Sequence, residues 1–319
     1  MKNLMKNLVA TIKNERFNVI AACLGAIGLL GAPFYYRNFS VFFYIMLYLV
    51  MTASCNIIYG YTGYVAFGYV VFYGMGAYSF ALLTSKLHVP LLPALLSGGL
   101  AAVALATVTT PALRLRGPYF ALANLAIAES MRIIFLNIPA EIAGGSFGIP
   151  LLELYDPLSS YYSMFAFMIM SLIVIWILLE RTKFGVILKA IKEDDVLAEA
   201  VGINVSKYKI IAWLVCAFFP GILGAIDAWY TCCIDPASAF HFMKTVNTKV
   251  FLIVGGAGTF AGPILGSVTM YIANYFLMIT FPLISMLLFG LVMTATILYF
   301  PEGLIGLLRR AKHWLTGKS

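Results

Sequence analysis

Charge is what this sequence has least of. Only 11% of its 319 residues are Asp, Glu, Lys or Arg, whereas 62% are hydrophobic. A soluble domain carries about a quarter charged residues because its surface must be wetted, so that class is excluded. Histidine is nearly absent, and His88, His241 and His313 lie far apart on different segments. That excludes a histidine-based metal centre and a catalytic triad, and no enzyme activity is expected of this chain. The five cysteines, Cys23, Cys55, Cys216, Cys232 and Cys233, follow no zinc spacing and imply no disulfide framework.

Three fragments imitate motifs and fail on context. "GGSFG" at Gly144 to Gly148 matches G-x-S-x-G, yet the nucleophile elbow needs a preceding strand, and an outside loop is expected around Ser146. "TGKS" at the end lacks its partner glycine, since Lys312 stands five residues before Gly317. The chain therefore does not hold ATP by that motif, and ATP with Mg would have to act in a separate subunit. "IAAC", ending at Cys23, has too short an apolar stretch before it for a lipoprotein signal.

Apolar runs of about 20 residues recur from end to end, the length that crosses a hydrocarbon core, and mean hydropathy is +0.94. The expected fold is an all-α polytopic membrane protein with about ten spans. They are placed near 17–36, 39–60, 63–84, 90–111, 119–136, 161–180, 210–231, 246–257, 263–281 and 282–300. Residues 1–16 place Met1, Leu4, Met5, Leu8, Val9 and Ile12 on one helical face, which predicts an interfacial helix. Residues 17–308 form the membrane domain, and 309–319 a basic tail.

With both termini cytoplasmic, sixteen of the 21 Lys and Arg residues fall in inside segments. Only Arg37, Lys86 and Lys244 are outside, while Arg132 and Lys249 lie in or beside spans. The positive-inside rule therefore sets the orientation. The net charge of +8 points to anionic lipid as a partner; the basic residues are too scattered for a nucleic-acid face.

Two glycine-dense stretches interrupt the helical rhythm: "GYTGYVAFGYVVFYGMGAY", Gly60 to Tyr78, and "GGAGTFAGPILG", Gly255 to Gly266. Such glycines let backbones approach closely, or let a helix unwind and offer polar groups to a solute. Gly60, Tyr61, Thr62, Gly63, Gly68, Gly255, Gly256 and Gly258 are the candidate translocation path. Each stretch is followed by two further spans, which hints at an internal repeat of spans 2–4 in spans 8–10.

Charges enter the apolar runs at few places. Glu129 and Arg132, in "AESMR", are three apart and share a helical face, so an intramembrane ion pair is expected. Asp227, near the outer end of its span, is expected to snorkel to the interface. The densest polar segment is "RTKFGVILKAIKEDDVLAEAVGINVSKYK", residues 181–209. It is cytoplasmic by the charge count, helix-prone, and ended by Gly202. A short helix between spans is placed to dock on a soluble partner.

Five stretches taken in order resemble the LivM-type permease subunits of branched-chain amino-acid ATP-binding-cassette importers. They are Gly60–Tyr78, "LRLRGPYFALANLAIAESMR" from Leu113, "GGSFGI" from Gly144, "FGVILKAIKEDDVLAEAVGINVSKYKIIAW" from Phe184, and "VGGAGTFAGPILG" from Val254. The resemblance implies a second, homologous permease subunit of LivH type, two ATPase subunits of LivG and LivF type, an external solute-binding protein, and a cytoplasmic (inner) membrane location. It also implies that 181–209 is the ATPase-coupling loop, carried by Asp194, Asp195, Ala198, Glu199, Ala200 and Gly202. Tyr64 and Ala66 stand where the family usually has glutamine and serine, so urea, short amides or other amino acids remain open as substrates. A stand-alone ion-coupled transporter would need a buried charged relay, for which Glu129, Arg132 and Asp227 are the candidates.

Overall fold

The computed structural model describes residues 28–33, 35, 39–115, 117–299 and 303–306. The interfacial helix expected at 1–16, the basic tail 309–319, most of the first expected span, Cys23 and His313 lie outside the described residues. The chain divides into two units at Tyr44/Ile45. In the first, the described residues are helical at 28–33 and 40–44.

Eleven longer helices order the described residues: α1 Ser40–Thr62, α2 Val70–Leu87, α3 Leu91–Thr109, α4 Pro118–Asn137, α5 Pro157–Trp176, α6 Lys183–Glu193, α7 Asp195–Ala200, α8 Val205–Thr231, α9 Phe242–Gly255, α10 Ala261–Thr280 and α11 Ser285–Tyr299. A 3-10 turn extends α3 to Arg114, and a π-helical turn extends α5 to Arg181. Among the described residues, six helices are long and apolar enough to cross a membrane: α1, extended α3, α4, extended α5, α8 and α10. At 14 and 15 residues, α9 and α11 fall short of the about 20 residues a straight span needs. The third expected span is corrected. The hydrophobic pattern runs from residue 63, but residues 63–69 form no α-helix, and α2 starts only at Val70.

The centre of the second unit is the packing of α2, α3 and α8, and glycine makes it possible. A Cβ on Gly76 would lie 1.9 Å from the Gly221 carbonyl oxygen, and one on Gly221 would lie 2.4 Å from that of Gly98. Three backbones thus meet where any side chain would hold them apart. Phe72 of α2 and Trp213 of α8 meet edge to face in this packing, with Tyr69 and Phe120 against them, and all four are fully buried. The Trp213 indole donates to Thr109 Oγ1 at 3.2 Å, which satisfies its one polar atom.

The two ends of the bundle differ. At one, β1 (Ile149–Pro150) pairs antiparallel with β2 (Cys233–Ile234). The "GGSFG" turn leads into it with Gly144, Gly145 and Gly148 all at positive φ, and Gly148 presses on the Ile234 carbonyl where a Cβ would sit 2.1 Å away. The glycines serve that turn, and Ser146 lies in a 3-10 turn. The helices α6 and α7 stand at the other end. Leu100 of α3, Leu122 of α4 and Phe276 of α10 are more than 60% exposed, as helices facing hydrocarbon would be.

Candidate functional site

The site forms where the polar segment meets both glycine stretches. Local chemistry shapes the segment first. Thr182 caps α6 by accepting from the Phe184 amide at 3.2 Å. Asp194 then splits what the sequence presents as one helix. Its carboxylate accepts from the Val196 and Leu197 amides at 2.8 and 3.1 Å, starting α7. At the far end the Ile203 amide bonds the Ala198 carbonyl and the Gly202 amide bonds that of Glu199, with Gly202 at φ +86°. This is a Schellman ending, which needs a left-handed residue there.

One face of this segment is buried through Leu188, Ile191 and Ala198. The other leaves Val186, Val196, Leu197 and Val201 about two-thirds exposed, beside Glu199 and Ala200, also exposed. Exposed apolar side chains on a charged segment are the pattern of a protein-binding surface.

Lysines tie the segment to the bundle. Lys192 Nζ donates to the Gly60 carbonyl at 2.9 Å. Lys189 Nζ lies 4.8 Å from the centroid of the Tyr61 ring, whose hydroxyl donates to Glu180 at 2.8 Å. Buried Lys209 pairs with Asp195 at 2.5 Å and donates to the Tyr64 hydroxyl at 2.9 Å.

The two glycine stretches meet at the same place. Asn56 lies one turn before Gly60 on α1. Its side-chain oxygen accepts from the Gly258 amide at 2.9 Å, and its nitrogen donates to the Thr259 carbonyl at 2.8 Å. A Cβ on Gly60 would stand 2.5 Å from the Gly258 nitrogen. Gly63, Gly256 and Gly258 adopt positive φ, so both links bend where only glycine does so cheaply.

Of the candidate path residues, Gly60, Tyr61, Gly63 and Gly258 gather here with Lys192. Thr62 is buried, its hydroxyl returned to the Ile58 carbonyl. Gly68 and Gly255 lie at close backbone approaches. Their Cβ atoms would fall 1.9 Å from the carbonyl oxygens of Asn124 and Gly262. Sequence reasoning missed Asn56, Lys192, Lys209 and Tyr64 as the joints. A lone amide inside an apolar run was the available signal for Asn56; the lysines looked like ordinary inside charges.

Glu129 and Arg132 pair along α4 at 2.5 Å, with side chains 52% and 32% exposed, so the pair lies on the bundle's outer face. Asp227 does not snorkel. It is buried, bonded by the Tyr73 hydroxyl and 3.7 Å from Lys244 Nζ. The charge pattern puts Lys244 in an outside loop; in the structure it lies in the first turn of α9, which begins at Phe242, with its ammonium turned to Asp227. Among the described residues no cluster of three metal-ligating side chains occurs.

A profile of the branched-chain amino acid transport system permease components matches residues 38–297. The chain belongs to that family. It is 28% identical to the high-affinity branched-chain amino acid transport system permease protein LivM of Escherichia coli, over 83% of this chain and 69% of that one. The same figures hold for LivM of Salmonella typhimurium. A probable LivH of Methanocaldococcus jannaschii is 27% identical over 43% of this chain and 45% of its own length. No solved structure matches. With six helices among the described residues long and apolar enough to cross a membrane, and this kinship, the chain is an integral membrane protein and a transport permease.

Proposed function

We propose that this chain is the membrane subunit of an ATP-binding-cassette importer, carrying branched-chain or similar hydrophobic amino acids across the cytoplasmic membrane. The observation that carries the reading is the junction at Gly60. There, the exposed segment α6–α7 holds, through Lys192, the backbone at which both glycine stretches bend. A partner that moved α6–α7 would pull directly on the bends.

In this reading α6–α7 is the coupling loop, and Val196, Leu197, Val201 and Glu199 face an ATPase subunit. Two ATPases, a LivH-type second permease and an external solute-binding protein complete the importer, with ATP and Mg held by the ATPases. Both termini are cytoplasmic, following the distribution of Lys and Arg. About ten passes result if α2, α9 and α11 enter the bilayer as shorter helices buried against their neighbours, since protein contact satisfies a broken backbone at membrane depth. The breaks at 63–69 and 256–260, each following a helix that ends at the junction, fit the repeat hinted at in the sequence.

A second reading has one observation in its favour. Buried Asp227 and Tyr73 with half-buried Lys244 form a charged group of the kind ion-coupled transporters use. Leucine uptake into cells expressing the complete importer separates the two. The importer reading expects uptake that survives a protonophore and stops when the partner ATPases are inactivated. Uptake abolished by the protonophore and indifferent to the ATPases would overturn it.

A further inference from the structure

Lys249 is the one basic side chain among the described residues that is buried with no hydrogen-bond partner. The residue is 4% exposed on α9, and its Nζ sits 3.9 Å from the centroid of the Phe67 ring. Phe67 belongs to the unwound link ahead of α2. It is itself 37% exposed, and its ring centroid is 6.4 Å from that of Phe242, which is 41% exposed.

The N-terminus of α2 opens three residues later. Its leading amides are already satisfied: that of Gly68 by Asn124 Oδ1 at 3.1 Å, that of Val70 by Thr245 Oγ1 at 3.0 Å. What stays unanswered is positive charge, from the helix end and from the ammonium together. Asp227, the only buried acid among the described residues, sits with Tyr73 and Lys244 through its Oδ2. A buried cation without a counter-charge is costly inside an apolar bundle, and such residues mark solute sites when a ligand completes them.

We propose that Lys249 binds the α-carboxylate of the transported amino acid at the break between α1 and α2, with Phe67 and Phe242 against its aliphatic side chain. The inference rests on the importer reading above and narrows it. A solute with a carboxylate uses the ammonium's three donors; urea or a simple amide leaves the charge unanswered.

The test uses the whole importer in proteoliposomes, with its ATPases and solute-binding protein, and radiolabelled leucine. Lys249→Met and Lys249→Gln are expected to cut leucine uptake at least tenfold, and Lys249→Arg to retain part of it. Both neutral variants should assemble and melt no lower than the wild type, because each removes an unpartnered charge. Uptake within twofold of wild type in either neutral variant overturns the assignment. Failure of both to assemble also overturns it, since the ammonium would then be structural. A wild-type importer that carries urea or acetamide instead of leucine, unaffected by these substitutions, refutes the carboxylate role. If the wild type moves none of these solutes, the importer reading falls, and the inference with it.

Discussion

At the scale of single residues, charges among the described residues are answered by a neighbour or turned outward, buried Lys249 being the exception. Glu129 and Arg132 illustrate the second case, paired at 2.5 Å on an outer face of α4 near its middle. An isolated charge at the centre of a membrane helix costs roughly 2.5–3.5 kcal/mol on insertion scales. Breaking the pair leaves such a charge; removing both leaves none. Glu129→Gln and Arg132→Gln are each expected to lower membrane abundance, and the double variant to recover most of it, as immunoblots of membrane fractions would show. Equal abundance of all three would contradict the pairing. Recovered abundance without recovered uptake would place the pair on the transport path.

At the scale of elements, α6 and α7 are one polar segment divided by a cap and closed by a glycine. Gly202 holds φ +86°, which proline, fixed near −65°, cannot adopt. Gly202→Pro should therefore unpick the Schellman ending and shift Val201. Glu199→Lys changes only an exposed charge beside Val196 and Leu197. Both variants are expected to keep the two permease subunits assembled while substrate no longer stimulates ATP hydrolysis. Normal uptake by both would remove the docking role. The cap is a gentler probe: Asp194→Ala should cost about 0.5–2 kcal/mol locally, seen as faster amide exchange across Val196 and Leu197.

At the scale of the whole molecule, the glycine stretches act as close contacts at some positions and bends at others. Gly68→Ala would put a methyl 1.9 Å from the Asn124 carbonyl oxygen, so it is expected to reduce folded protein, not merely transport. Lys192→Met leaves the backbone contacts intact and removes only the link from α6 to the Gly60 carbonyl. For that variant the expectation is an assembled complex with basal ATP hydrolysis and leucine uptake lowered severalfold. Unchanged uptake would mean that force on α6–α7 reaches the bundle by another route, through Lys209 and Tyr64.

Composition and hydrophobic run length by themselves determined that this chain is an all-α membrane protein, because hydrocarbon tolerates only backbones that satisfy their own hydrogen bonds. Local rules also marked the polar segment and its end at Gly202, since a left-handed ending favours glycine wherever the helix packs. What the tertiary structure decided was pairing at long range. Gly60 meets Gly258 across nearly two hundred residues, Lys192 reaches Gly60, and Asp227 turns inward to Lys244. The start of α2 at Val70 was hidden for the same reason. Its first turn is stabilised by Asn124 and Thr245 from two other helices, and no local pattern in "GYVAFGY" records which side chains will come to meet it.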